Sequence, residues 1–180
     1  MIPKNAELVY DGEIFKVYNW QQKLFDNSFK TFEAVKRKDS VQLIVVKDNK
    51  LIIYEEQQPD TEQLLTLPGG MIEWDEPPEK AGERELLEET GLKVEFSFYM
   101  KNAFSGKINW DTYYYICKNP LKVGEQNLDP GEKITVKEVS FEEFIGLTQH
   151  NKFRNKEFQQ HIKMLKLENK LEDFKKQLGL

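Results

Sequence analysis

Short apolar runs broken by turn residues dominate the first third of the chain. EIFKVYNWQQKLF and FKTFEAVKR flank Asp26, Asn27 and Ser28, while VQLIVVK and KLIIYEE flank Asp48 and Asn49. Their Val, Ile and aromatic content predicts paired strands, the second pair deeply buried. A loop, QQPDTEQ, precedes LLTLPGG, and a helix is predicted from about Pro78 to Thr90, with proline at its start and Gly91 at its stop. LKVEFSFYM, DTYYYICK and ITVKEVS read as further strands, SGKINW and KNPLKVGEQNLDPGEK as loops, and FEEFIGLTQ as a short helix. From Phe153 onward the period is helical, with Phe158, Ile162 and Leu165 on one stripe and Leu171, Phe174 and Leu178 on another. Strands and helices mix without strict alternation, which predicts an α+β fold, or an α/β/α sandwich on a mixed sheet.

Composition narrows the classes. With 39% hydrophobic and 12% aromatic residues, the 180-residue chain can build a core as one domain with small appendages. No apolar run reaches the roughly 18 residues a membrane crossing needs, and MIPKNAELVYDG lacks the features of a signal peptide. Cys117, expected as a buried strand residue, is the only cysteine, which removes intrachain disulfides and cysteine zinc sites. The expected location is the cytoplasm. A net charge of −5 argues against nucleic acid or an anionic membrane as partner, yet leaves room for an anionic small substrate where metal ions invert the local charge.

The helix at 78–90 carries the candidate chemistry. At about 100° per residue, Glu85, Glu88 and Glu89 share one arc while Leu86 and Leu87 point to the other side. A solvated acidic face is the plain alternative. Such a face normally places Lys or Arg four residues after Glu, whereas here Glu89 follows Glu85, Glu83 follows Glu79 and Arg84 follows Lys80. The missing partner is cationic, and clustered carboxylate oxygens suit Mg²⁺ or Mn²⁺.

The wider spacing identifies a resemblance. Gly70, five residues, Glu76, seven residues, then Arg84-Glu85-Leu86-x-Glu88-Glu89-x-Gly91-Leu92 matches the signature of the Nudix hydrolases. LIIYEEQQP, LTLPGGMIE and GEKITVKEVSFEEF extend the likeness toward the ADP-ribose pyrophosphatase branch. The resemblance implies a Nudix sandwich with an N-terminal antiparallel extension over 1–40, a catalytic domain over 41–150 and a C-terminal helical segment over 151–180. It also implies a homodimer, and Mg²⁺-dependent hydrolysis of ADP-ribose or a related nucleoside diphosphate sugar. The alternatives are another nucleoside diphosphate derivative (a dinucleotide, an NDP-hexose or a damaged nucleotide) and a nucleotide sensor without turnover.

Carried over by position, Glu85 and Glu89 resemble the principal metal ligands, Glu88 a third, and the Gly69 carbonyl the backbone ligand. Arg84 resembles the residue that orients the carboxylates, and Glu76 the one that ties loop to helix. Glu132 stands where the branch can place its general base, with Glu125 in reserve. The branch often carries EQYRP before the signature, with an arginine for the substrate; here EEQQP puts Gln58 there, and an amide supplies no charge. Arg37 is a candidate to compensate, as is Lys38, both otherwise ordinary residues of a solvated strand end. Trp20, among the aromatics Phe15, Tyr18 and Phe25, is the preferred stacking platform, the N-terminal strands crossing to a partner's pocket in this branch; Trp74 and Trp110 are further neighbours. His150 and His161 read as surface residues, and Tyr113, Tyr114 and Tyr115 as alternating strand positions.

Overall fold

The computed structural model describes residues 2–180. Nine strands form one mixed sheet: β1 (Glu7–Asp11), β2 (Phe15–Lys23), β3 (Phe29–Arg37), β4 (Ser40–Lys47), β5 (Lys50–Gln57), β6 (Leu64–Thr66), β7 (Leu92–Phe104), β8 (Ile108–Lys122) and β9 (Lys133–Val139). The helices are α1 (Pro78–Thr90), α2 (Phe141–Thr148), α3 (Lys156–Leu167) and α4 (Leu171–Leu178). The sheet runs β1-β2-β3-β8-β4-β5-β6, with β7 added on β8 and β9 on β5. β1–β3 are an antiparallel meander that joins the rest through a short parallel pairing of Val35 and Lys36 with Ile108 and Asn109.

Period-two alternation divides the buried side chains between the two faces. Ile44, Leu51, Ile53, Tyr114 and Ile116 pack under α2, α3 and α4, against Phe144, Phe158, Ile162 and Phe174. Leu43, Val45, Ile52, Tyr54, Tyr115 and Cys117 face the other way, against Ala81 and Leu86 of α1. Helices therefore cover both faces, giving the α/β/α sandwich. A fully buried ring such as Phe158 contributes about 3–5 kcal/mol relative to alanine.

Several local expectations change. SGKINW is a loop only over residues 105–107, because Ile108–Trp110 begins β8, and Phe104 stacks on Trp110 with centroids 4.1 Å apart. β8 also runs on through Pro120, whose missing N–H is tolerated because the register slips between Lys93 and Glu95 of β7. The C-terminal helix starts at Lys156 rather than Phe153. Leu65 donates to the Lys152 carbonyl at 3.0 Å and accepts from the Arg154 N–H at 2.8 Å, so this segment is zipped onto β6 instead. His161 is half-buried, not a surface residue: its place on the Phe158/Ile162 stripe brings Nε2 within 2.6 Å of the Tyr99 hydroxyl. Leu87 is 37% exposed and does not join Leu86 in the core.

Candidate active site

The end of β6, the loop after it, and α1 build one wall of a cleft of about 650 Å³. Leu86 and Ala81 anchor α1 on the sheet, which turns Glu85 and Glu89 back toward the loop. Glycine is required at the contact. Gly69 has φ +127° and a Cβ there would stand 2.2 Å from the Val41 carbonyl oxygen, while a Cβ on Gly70 would meet the Glu85 carboxylate at 2.4 Å. The carbonyls of Pro68 and Gly70 accept from Leu43 and Val41. Between them, the Gly69 carbonyl has no donor among the described residues.

Arg84 organises the carboxylates. Its Nε and one terminal nitrogen grip both oxygens of Glu76 at 3.1 and 3.0 Å, and the latter also donates to the Met71 carbonyl at 3.1 Å. The other terminal nitrogen donates to Glu85 at 2.8 Å and stands 3.5 Å from Glu88. Glu76 in turn accepts from the Glu73 N–H, so loop and helix are held as a unit. Glu89 is 5% exposed and accepts from the Gly69 N–H at 3.1 Å. The buried Tyr54 hydroxyl lies beside it, short of normal hydrogen-bond geometry.

Too much negative charge is packed here for the cations present. Burial pushes the Glu85 carboxyl up to about 7 against the pull of Arg84, with Glu88 and Glu132 adding repulsion. Glu89 is raised well above the ordinary range by burial and then by the charge of Glu85. Glu132 is also raised, by burial first and then by Glu56 and Asp129. Among the described residues no three acidic, histidine or cysteine side chains close into a finished metal cage, since Arg84 draws Glu85 and Glu88 while the Gly69 amide holds Glu89. The donor set nevertheless fits a hard divalent cation: mutually repelling carboxylates beside a carbonyl without a donor.

The other sequence candidates separate. Arg37, Gln58, Glu132, Phe15 and Trp110 line the cleft. Glu125 does not: it is exposed and pairs loosely with Lys122 at 3.6 Å. Lys38 is no solvated strand-end residue, being 4% exposed and paired with Glu73. Trp20 lies outside the cleft of its own chain, edge-on to Phe32, and Trp74 donates to the Glu13 carbonyl. Cleft residues that escaped the sequence reading include Glu56, Arg154 and Asn155. Their proximity depends on the strand-like docking of the segment before α3, for which a helical period gives no signal. A second cavity of about 530 Å³, on the other flank of α1, shares only Arg84 with the cleft.

The sequence profile of the NUDIX domain matches residues 36–161, which contain every residue lining the cleft except Ile14 and Phe15. The chain belongs to the Nudix family. It is 26% identical over 175 residues to an ADP-ribose pyrophosphatase of Bacillus subtilis (strain 168), a match covering 92% of each chain. It is also 25% identical over 146 residues to a methanol dehydrogenase activator of Bacillus methanolicus, covering 77% of each. A crystal structure of an ADP compounds hydrolase has the same fold, with a TM-score of 0.69 at 17% identity over 93% of this chain and 95% of that one. The mixed sheet sandwiched by helices is therefore the Nudix fold.

Proposed function

We propose that this Nudix protein hydrolyses the diphosphate linkage of ADP-ribose or a related nucleoside diphosphate sugar, with Mg²⁺ or Mn²⁺, giving a nucleoside monophosphate and a sugar phosphate. The observation that carries the reading is that Glu85, Glu88, Glu89 and Glu132 line one cleft together with Gly69, whose carbonyl has no donor among the described residues. Glu85, Glu89, Glu88 and that carbonyl would hold the cation, which supplies charge neutralisation on the phosphate oxygens and acidifies water. Arg84 keeps the carboxylates aimed, and Glu76 fixes Arg84. Glu132 takes the proton of the attacking water, its raised pKa keeping it a stronger base than an exposed glutamate. Water adds to one phosphorus, and the bridging oxygen departs with the other phosphate.

The similarity to an ADP-ribose pyrophosphatase over most of both chains supports the substrate class. Gln58 favours, as a second reading, a different nucleoside diphosphate derivative. We further take residues 1–40 as a subunit-contact extension of a homodimer. The exposed Leu8, Tyr10, Phe25 and Phe29 support this, and it would leave Trp20 free to serve the partner's cleft. No helix among the described residues is long and apolar enough to cross a membrane, and the cytoplasm is the proposed location.

The test is incubation of purified protein with Mg²⁺ and a panel of ADP-ribose, NDP-hexoses, dinucleotides and oxidised nucleotides, with products identified by mass. AMP plus ribose 5-phosphate from ADP-ribose is expected, and Glu89→Gln should abolish turnover while the protein stays folded. No product from any panel member, or an undiminished Glu89→Gln variant, would overturn the reading.

A further inference from the structure

We propose that Arg154 grips the substrate's phosphate oxygens in this cleft, taking the place of the guanidinium that position 58 lacks. The inference rests on the diphosphate-hydrolase reading above. Eight carboxylates line the cleft (Glu56, Glu73, Glu85, Glu88, Glu89, Asp129, Glu132 and Glu157) against three arginines and no lysine. A polyanionic substrate therefore depends on the few cations that are free to meet it. Arg84 is committed to Glu76, Glu85 and the Met71 carbonyl. Arg37 donates to the Ser40 hydroxyl at 3.2 Å and stands 6.0 Å from the Trp110 ring centroid.

Arg154, like Arg37, spends one terminal nitrogen on the protein, but its partner is a buried carboxylate rather than a hydroxyl. One terminal nitrogen donates to Glu56 Oε1 at 2.6 Å, and its remaining donors have no protein acceptor among the described residues. Its side chain is 39% exposed, while that of Glu56 is 10% exposed. Gln58 Nε2 donates to the same Oε1 at 3.0 Å. The guanidinium of Arg154 and the amide at position 58 thus converge on one oxygen, although the residues lie far apart in sequence. An arginine at 58 would set a second positive charge on that oxygen; a glutamine there leaves the place to Arg154.

The mounting is rigid. The Arg154 N–H donates to the Leu65 carbonyl at 2.8 Å. The next side chain, Asn155, accepts from the Leu67 N–H at 2.9 Å and the Thr66 hydroxyl at 3.0 Å, and donates to Gln42 at 2.8 Å. A planar fork fixed through one nitrogen and open at the others is suited to two oxygens of a phosphate, and its preorganisation spares the entropy of ordering a long side chain. Neutralising Glu56 alone would account for only that one hydrogen bond.

The experiment compares wild type, Arg154→Gln, Gln58→Arg and the double variant by steady-state kinetics with ADP-ribose and Mg²⁺, by calorimetry with inorganic pyrophosphate and Mg²⁺, and by Tm. Arg154→Gln should raise KM and weaken pyrophosphate binding by about 10- to 100-fold, with a smaller change in kcat. Adding Gln58→Arg to it should recover most of both losses, because the guanidinium returns to the same oxygen from the other side. A KM and a pyrophosphate affinity both within about twofold of wild type overturn the proposal. So does a loss that Gln58→Arg leaves unrepaired while Tm falls, which would make Arg154 a structural residue. If wild type turns over no nucleoside diphosphate derivative, the hydrolase reading fails by itself. Pyrophosphate calorimetry then decides Arg154, equal affinity of wild type and Arg154→Gln overturning it.

Discussion

Glu85 offers a direct measure of the tension stored in the acidic cleft. Its side chain is 17% exposed, and its carboxyl is raised from the ordinary 4.5 to about 7. Between those values the folded protein binds a proton that the unfolded chain releases. The stability Glu85 contributes is therefore full below about pH 4.5, falls as pH rises through the window, and is gone above about 7. At about 1.4 kcal/mol per pH unit, the metal-free protein at pH 8 carries a penalty of about 3 kcal/mol from this one group. Glutamine reproduces the neutral side chain. In chelator at pH 8, Glu85→Gln should therefore be more stable than wild type by about 3 kcal/mol, a rise of roughly 6–12 °C in Tm for a domain of this size. At pH 4.5 the two proteins should coincide. Excess Mg²⁺ should close the gap at pH 8 and, at about 1,000 times its Kd, reverse the order, since the ligand then adds about 4.1 kcal/mol to wild type alone. Urea denaturation at the two pH values, with and without Mg²⁺, reads all of this. A variant no more stable than wild type at pH 8 in chelator, or a gap that persists unchanged at pH 4.5, would refute the assignment of burial and repulsion as the cause.

Two more outcomes follow from the same geometry. Glu132→Gln should lower kcat by about 10² if this residue takes the proton, and its remaining rate should lose the alkaline rise that the raised carboxyl gives wild type; a loss below about threefold removes it from that role. Asn155→Ala strips a buried side chain from Leu67, Thr66 and Gln42 and should lower stability by about 3 kcal/mol, with a raised KM because Arg154 loses its anchor. An unchanged Tm would show that the segment before α3 is held by other means.

How much of this was legible beforehand differs by residue. The span Pro78–Thr90, the helix stop at Gly91 and the glutamates of its inner arc were readable because helix period and terminus chemistry act over neighbouring residues. The excess of Glu over Lys or Arg at the i, i+4 positions already pointed to an absent cation. By contrast, nothing near Arg154 announced its neighbours. Its apolar context has a helical period, yet its backbone bonds to Leu65 and its guanidinium to Glu56. His161 and Leu87 were misjudged for the same reason, since each face's fate depends on what packs against it.

The sequence by itself determined the elements whose signals are local: the hairpin turns, the glycine pair, the acidic helix and the spacing that marks the family. Only the tertiary structure decided which of the distant charges share a cleft. It drew in Glu132, Glu56 and Arg154 and left Glu125 and Lys38 outside. The physical reason is range: capping and periodicity are settled within a turn or a strand, whereas a site made from β5, α1 and the segment before α3 exists only once a sheet has brought them within a few ångströms.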